Sequence, residues 1–114
     1  MRLSLLFDPA MKTHDYRHVP AARTFFQRLI GLMGRRDRLF LFIPRCSAVH
    51  TWFMRSPIDI AFLDEKSIVL RIEHEARPWR VFSGPKGTRS VLELPPGSTV
   101  APADAIHTED QGIL

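Results

Sequence analysis

Cysteine is nearly absent from this sequence, which has only Cys46 among its 114 residues. A single cysteine cannot form an internal disulfide, and this fits a reducing compartment. No apolar run approaches the roughly 20 residues that a membrane-spanning helix needs. The apolar start at residues 2–7 is too short for a secretion signal, and Asp8 follows it at once. We therefore expect a soluble, cytoplasmic protein with no membrane partner.

The common catalytic and cofactor-binding motifs are also missing. The sequence contains no phosphate-binding loop, no dinucleotide-binding glycine pattern, no HExxH metal motif and no nucleophile elbow. Cys46 and His50 stand four residues apart, which is roughly 13 Å along a strand, whereas metal–ligand bonds are only about 2 Å long. This separation argues against a shared metal ion and against a Cys–His nucleophile pair. We expect no metal site and no cofactor.

The sequence does contain enough apolar residues for one folded domain over residues 1–114. Its hydrophobic fraction is 45%, with eight Phe residues, which suffices for a modest core. The net charge is +4, and residues 1–45 hold nine Lys or Arg against three Asp or Glu. This asymmetry is compatible with an anionic partner such as a nucleic acid. An ordinary solvated surface that is rich in arginine explains it better.

The densest run of strand-forming residues lies in the middle of the chain. Val, Thr, Trp and Phe predict one strand over residues 48–54, and Ile, Phe and Leu predict a second over residues 58–63. Pro57 predicts a tight turn between them, so we expect a central hairpin that is covered on both faces. A two-residue turn would place Asp59 on the face of His50, and a three-residue turn would place it on the opposite face. The sequence leaves both registers open.

Short strands with turn signals between them dominate the rest of the chain. A capping box from Thr24 to Gln27 predicts the one exception, a short helix that ends near residue 30 or 33. Strands do not alternate with helices, so we expect a mainly β domain. It should be an antiparallel β-sandwich or partly closed barrel with one short helix in its N-terminal half. The further predicted strands cover residues 2–7, 39–43, 68–75, 90–94 and a last segment near Ile106.

Two segments are predicted to be irregular. Residues 10–18 are polar, and we interpret the histidines among them as surface residues. Residues 76–88 contain proline and glycine and predict a long loop, whose Trp79 and Phe82 are expected to fold back over the core. Just before this loop, apolar and polar residues alternate, which predicts one solvated strand face with an exposed His74.

The candidate catalytic residues are polar side chains among apolar neighbours, because buried polar groups need partners. Cross-strand neighbours come within about 5.5 Å, so His50 could form an acid–base pair with Asp59 or Asp64. Glu93 is the other carboxylate inside an apolar strand. The same His50 contact could instead be a structural hydrogen bond that sets the strand register, and we favour that interpretation. The candidate ligand-binding residues are Arg35, His50, Trp52, Met54, Arg55 and Asp59.

Four blocks of the sequence resemble a known family in their order and spacing. They are Gly31-Leu-Met-Gly-Arg35; His50-Thr51 followed by Phe53-Met54-Arg55; Pro57-Ile-Asp59-Ile-Ala-Phe-Leu-Asp64; and Val91-Leu-Glu-Leu-Pro95 with Gly97. Together they resemble the bacterial and archaeal domain of unknown function family 192 over about residues 20–100, and we expect a bacterial member. The resemblance implies a β-rich, sandwich-like fold with a helix that carries the Gly-Leu-Met block. It implies no settled activity.

These residues suggest four functions, in order of preference. The first is a binding module with a pocket near the central hairpin for a small polar or anionic ligand. The second is a hydrolase-like enzyme that uses His50 with a carboxylate. The third is a nucleic-acid or protein interaction domain, whose basic face would include Arg28, Arg35, Arg36 and Arg38. In the fourth, these residues only hold the fold together.

Overall fold

The computed structural model describes residues 11–19, 40–52, 54 and 56–108, and these residues form eight β-strands. No helix occurs within these ranges. The predicted strand at residues 2–7 and the predicted helix that begins at Thr24 lie outside the described residues. The strands are β1 (Thr13–Tyr16), β2 (Leu41–Pro44), β3 (Ala48–His50), β4 (Ile58–Leu63), β5 (Val69–Ala76), β6 (Val81–Ser83), β7 (Ser90–Leu94) and β8 (Ala105–Thr108).

Four of these strands form a central antiparallel sheet in the order β2-β7-β4-β5. The inner strands β4 and β7 are buried along their whole length, which explains their nearly continuous apolar sequences. Along β4, Ile60 and Phe62 belong to one face of the sheet, and Ala61 and Leu63 belong to the other. All four are fully buried, and full burial of a large apolar side chain contributes about 1.5–3 kcal/mol. Burial on both faces makes β4 the centre of the fold.

A short two-stranded ribbon covers each face of the central sheet. β3 and β6 pair in antiparallel fashion, and Val49 and Phe82 join the hydrophobic cluster on the Phe62 face. β1 and β8 pair in parallel, and Tyr16 and Ile106 join the cluster on the opposite face. The described strands therefore form three layers with the larger sheet in the middle, and they do not close into a barrel.

The pairing between β4 and β5 is interrupted at Asp59. Ile58 pairs with Ala76 and Ile60 pairs with Glu73, so two residues of β5 stand opposite a single residue of β4. This arrangement is a β-bulge, which bends the strand that carries the extra residue. The bulge brings the end of β5 against the carboxylate of Asp59.

The predicted mainly β class is confirmed, but the predicted central hairpin is wrong. β3 pairs with β6, and β4 pairs with β5 and β7, so the two supposed hairpin strands do not pair with each other. Thr51 explains the separation: its N–H donates to the carbonyl of Arg80 at 2.9 Å, and its carbonyl accepts the N–H of Trp79 at 3.0 Å. The chain is held to the ribbon there and enters the central sheet only at Ile58. The choice between two hairpin registers therefore does not arise.

The remaining strand predictions had mixed outcomes. β7 covers the predicted residues 90–94, and β5 and β8 lie where strands were expected. The predicted irregular segment at residues 10–18 is wrong, because β1 gains a parallel partner in β8. That parallel pair also departs from the wholly antiparallel arrangement that we expected.

The predicted loop at residues 76–88 contains β6, which supplies one inward-facing side chain to the core. Phe82 packs against the hydrophobic cluster as expected. Trp79 instead lies on the surface with 57% of its area exposed. The N–H of Trp79 donates to the carbonyl of Thr51, which ties the Trp79 backbone to the ribbon.

Candidate functional site

An exposed aromatic surface lies at the end of the β3–β6 ribbon. We call it the aromatic patch and define it by His50, Trp52, Trp79 and Val81. Val81 is the cross-strand partner of His50, and the rings of His50 and Trp52 have centroids 4.8 Å apart at an interplanar angle of 31°. Trp52, Trp79 and Val81 are 45%, 57% and 63% exposed. These three exposed apolar side chains are candidates for an interaction site.

Thr51 links the backbone of Trp52 to that of Trp79 through hydrogen bonds. It is fully buried, and its Oγ1 donates to the carbonyl of Arg77 at 2.6 Å and accepts the N–H of Arg80 at 3.0 Å. Its own carbonyl accepts the N–H of Trp79. This last bond places the Cα atoms of Trp52 and Trp79 within roughly 8 Å of each other. The backbone that carries the aromatic patch is therefore held in place by the hydrogen bonds of the buried Thr51.

Trp79 adopts an unusual backbone conformation. Its φ is 63°, in the left-handed region that bulky residues rarely occupy. A residue held there costs on the order of 1–3 kcal/mol, and such strain clusters at binding and catalytic sites. The hydrogen bond to the carbonyl of Thr51 helps to hold this conformation, so the fold keeps a strained tryptophan on its surface.

Two arginines bring positive charge to the aromatic patch. Arg77 and Arg80 flank Trp79 in the chain, and both are exposed. In the part of the chain that the structure describes, neither guanidinium forms an ion pair, whereas Arg71 lies 3.9 Å from a carboxylate oxygen of Glu73. The charge of the two flanking arginines is therefore available to an anion.

A second polar centre surrounds the fully buried Asp59. Its Oδ2 lies 3.0 Å from Nδ1 of His74 and accepts the N–H of Ser98 at 3.0 Å, and its Oδ1 accepts the N–H of Glu75 at 2.9 Å. Glu75 is the bulge residue, and its φ is 52°. Asp59 thus ties β4, the bulge in β5 and the turn after β7 together. The side chain of His74 is 54% exposed.

A similar pair joins β1 to the segment before β8. Nε2 of His14 lies 2.9 Å from Oδ2 of Asp104. Oδ2 also accepts the N–H of Ala101, and Oδ1 accepts the N–H of Lys12. Burial raises the pKa of Asp104, but the hydrogen bonds from His14 and from these two backbone groups outweigh it, so the pKa lies below its ordinary value. The side chain of His14 is only 15% exposed, which corrects its prediction as a surface histidine.

The structure brings together only part of the predicted ligand-binding set. His50 and Trp52 lie in the aromatic patch, where Nδ1 of His50 accepts the N–H of Trp52 at 3.3 Å. Met54 is buried in the cluster on the Phe62 face and does not line the surface. Arg35 and Arg55 lie outside the described residues, as do the other arginines of the predicted basic face.

The predicted catalytic candidates Asp59 and Glu93 lie apart from each other. Asp59 hydrogen-bonds to His74 instead of His50. Glu93 is fully buried on β7 and is the cross-strand partner of Ile60. Because neighbouring residues of a strand point to opposite faces, Glu93 and Asp59 lie on opposite faces of the central sheet. The hydrogen-bond partners of Asp59 do not include His50, and the pair of His50 with Glu93 stays a prediction.

Sequence reasoning missed the residues that complete both centres. Trp79 was expected to cover the core, and for His74 only its exposure was predicted. The run from Arg77 to Arg80 was a usable signal, because it places an aromatic ring between two arginines inside a loop. The pairing of His74 with Asp59 had no sequence signal, because it depends on the bulge between β4 and β5.

Three further observations concern metal ligands, membrane-spanning helices and Cys46. Within residues 11–19, 40–52, 54 and 56–108, no group of three His, Cys, Asp or Glu side chains comes together to hold a metal ion. No helix among those residues is long and apolar enough to cross a membrane. Cys46 donates its thiol to the carbonyl of Ala48 at 2.9 Å and packs against the cluster on the Phe62 face.

Solved structures share this fold. A Sinorhizobium meliloti protein that is described as a proposed transcription regulator superposes with a TM-score of 0.65 at 23% identity, over 75% of this chain and 76% of that one. A Novosphingobium aromaticivorans protein of unknown function gives a TM-score of 0.60 at 23% identity, over 71% of this chain and 64% of that one. Likeness at this identity establishes the fold alone. The chain is a mainly β domain of an architecture that recurs in bacterial proteins.

The chain belongs to the domain of unknown function family DUF192, described as "Uncharacterized ACR", whose family model matches residues 9–107. The UPF0127 protein of Thermococcus sibiricus is 36% identical over 86 residues, which cover 69% of this chain and 55% of the relative. The UPF0127 protein of Pyrococcus abyssi is 34% identical over 85 residues, which cover 69% of this chain and 72% of the relative. The predicted family is therefore confirmed.

The chain spans little more than half the length of the first of these relatives. It likewise covers 56% of the length of the UPF0127 protein of Thermococcus gammatolerans. All three relatives come from archaea. The bacterial origin and the cytoplasmic location that we expected from the sequence stay predictions.

Proposed function

We propose that this domain is a binding module whose aromatic patch takes a small anionic ligand that carries a planar ring. One observation carries the proposal: both tryptophans of the chain are exposed, and the hydrogen bond from the N–H of Trp79 to the carbonyl of Thr51 brings their backbones close together. The proposal keeps the preferred interpretation of the sequence and moves the site from the supposed hairpin to the end of the β3–β6 ribbon.

The planar ring follows from the side chains of the patch. Indole and imidazole faces attract other flat rings, with preferred centroid separations of about 4.5–7 Å. His50 and Trp52 already use this geometry between themselves. The Cα atoms of Trp79 and Trp52 lie within roughly 8 Å of each other, and the proposal is that one ring of a ligand contacts both indoles. The exposed Val81 extends the apolar contact along the ribbon.

The anionic group follows from Arg77 and Arg80. A guanidinium donates a planar set of N–H groups that matches a carboxylate or a phosphate, and these charge-assisted bonds are about twice as strong as neutral ones. Neither arginine has an ion-pair partner among the described residues. Both lie beside Trp79 in the chain, so one ligand can use a ring contact and a charge contact together.

The hydrogen bonds of Thr51 support affinity, because they order the backbone of the binding site before the ligand binds. Thr51 holds the backbone of Arg77, Trp79 and Arg80 before any ligand arrives. A site that is already ordered loses less conformational entropy on binding. The strained φ of Trp79 is in keeping with a residue that is held for a purpose other than stability.

Intrinsic tryptophan fluorescence tests the proposal directly, because Trp52 and Trp79 are the only tryptophans of the chain. The protein would be titrated with benzoate, inorganic phosphate, benzyl alcohol and adenosine monophosphate. Benzoate and adenosine monophosphate combine a ring with an anion and should change the fluorescence at the lowest concentrations. Phosphate and benzyl alcohol, which each lack one of the two groups, should act far more weakly. Added salt should weaken binding of the anions, since it screens exposed charges.

Matched variants locate the site. Arg80→Gln should weaken binding about tenfold, the equivalent of one charge-assisted hydrogen bond. Arg89→Gln is the control, because Arg89 is also exposed but belongs to a different part of the fold. Its backbone N–H donates to the carbonyl of Leu63, the last residue of β4. Trp79→Asn should abolish most of the response while the fold persists, because asparagine tolerates positive φ. The proposal is refuted if no ring-bearing anion binds, or if Arg89→Gln weakens binding as much as Arg80→Gln.

A further inference from the structure

Two histidines of this domain are paired with buried aspartates, and the two pairs use opposite ends of the imidazole ring. Asp104 binds Nε2 of His14, whereas Asp59 binds Nδ1 of His74. The side chain of His14 is 15% exposed, and that of His74 is 54% exposed. The ring of His14 is therefore enclosed, while His74 presents its far nitrogen, Nε2, to the surface. Among the residues that the structure describes, this Nε2 has no hydrogen-bond partner.

The contacts of Asp59 determine which nitrogen of His74 carries the hydrogen. A backbone N–H can only donate, and Asp59 accepts one such group on each oxygen, from Glu75 and from Ser98. A carboxylate that already accepts two backbone hydrogen bonds also presents acceptor oxygens to the ring. His74 therefore donates from Nδ1, and in the neutral ring the lone pair is left on Nε2.

From this geometry we propose that Asp59 and His74 form a proton-transfer site, in which Nε2 of His74 takes a proton from a water molecule that attacks a neutral or cationic ligand. Asp59 is the positioning residue, since its buried carboxylate sets the tautomer and the orientation of the ring. The exposed Glu75 follows His74 in the chain and disfavours an anionic ligand, whereas the charge of Glu73 is partly offset by Arg71, which lies 3.9 Å from its carboxylate. The proposal uses none of the residues of the aromatic patch and stands apart from the proposed function.

Hydrolysis of a neutral ester is the simplest reaction that such a site supports. Nε2 would take a proton from water while the water oxygen bonds to the ester carbonyl carbon. The imidazolium would then return this proton to the leaving alkoxide as the carbon–oxygen bond breaks. The products are a carboxylic acid and an alcohol, and the ring regains its starting form. Positioned acid–base groups typically accelerate such steps by about 10²–10⁴-fold.

The first experiment determines the tautomer. Long-range ¹H–¹⁵N correlation spectra of the neutral ring should show the hydrogen on Nδ1 of His74. Asp59→Asn should lose this preference. If that variant does not fold, the wild-type spectrum decides alone. A hydrogen found mainly on Nε2 of wild-type His74 would overturn the proposal.

The second experiment measures hydrolysis of p-nitrophenyl acetate, a neutral activated ester. His74→Gln should lower the protein-dependent rate at least about tenfold. His107→Gln is the matched control, because His107 is an exposed strand histidine without a hydrogen-bond partner among the described residues. Its rate should equal that of the wild type. An unchanged rate in His74→Gln, or an equal loss in His107→Gln, would show that His74 is only one surface imidazole among others.

Discussion

Thr51 offers a sharp test of how the aromatic patch is built, because two substitutions separate its hydroxyl from its methyl group. Thr51→Val keeps the shape and removes Oγ1, so the carbonyl of Arg77 and the N–H of Arg80 lose their partner. Thr51→Ser keeps the hydroxyl and removes one buried methyl group. The backbone hydrogen bonds of Thr51 stay in both variants.

The expected costs differ enough to be measured. A buried polar group that loses its partner costs about 1–3 kcal/mol. The groups of Arg77 and Arg80 belong to exposed residues, so water can satisfy them in part. We therefore expect Thr51→Val to lower the free energy of unfolding by about 2 kcal/mol in total. Thr51→Ser should cost about 1 kcal/mol, the value of one buried methyl group.

Urea unfolding followed by circular dichroism would measure both variants. At roughly 4 °C per kcal/mol for a chain of this size, Thr51→Val should also lower the melting temperature by about 8 °C, and Thr51→Ser by half as much. Thr51→Val should in addition weaken the fluorescence response to ring-bearing anions, because Trp79 and the arginines lose their support. If Thr51→Val is more stable than Thr51→Ser, apolar burial outweighs the hydrogen bonds, and Oγ1 of Thr51 does not hold the aromatic patch in place as we infer.

Two further predictions concern the rest of the fold. The lowered pKa of Asp104 means that its contribution to stability is present above the unfolded value of 3.8 and is lost as the pH falls through the folded value. In urea unfolding at a series of pH values, the free energy of unfolding of Asp104→Asn should therefore fall less steeply at acid pH than that of the wild type. An equally steep fall in the variant would contradict the stabilising role of the pair of Asp104 with His14. Gly84→Ala would place a Cβ 2.7 Å from Cδ1 of Phe62 and even closer to the hydroxyl of Thr88, so it should cost about 1–3 kcal/mol through overpacking. A melting temperature equal to that of the wild type would show that the loop moves aside freely.

The positions of several strands could be predicted because their signals are local. The apolar run of β4 from Ile58 to Leu63 and the run of β7 both predicted strands, and the structure buries both completely. The alternation before residue 76 likewise predicted β5 and the exposure of His74. The family could be recognised for a similar reason, because the order and spacing of its four short sequence blocks can be read without knowing which residues are in contact.

The candidate site was less predictable because its geometry depends on strand partners. Sequence patterns singled out His50, Trp52 and Asp59 but placed them in one hairpin. In the structure, Asp59 belongs to a different layer and pairs with His74. Trp79 joins Trp52 only because Thr51 holds residues 77–80 against the end of β3.

The sequence by itself determined the strands with strong apolar runs or clear alternation, such as β4, β5 and β7, and which polar residues stand among apolar neighbours, because strand propensity and alternation act over a few residues. Only the tertiary structure decided which strands pair, which face each side chain takes and which histidine meets Asp59. These outcomes depend on contacts between segments that are distant in the chain. The pairing of β3 with β6 and the bulge opposite Asp59 are such contacts, and together they create both the aromatic patch and the Asp59–His74 pair.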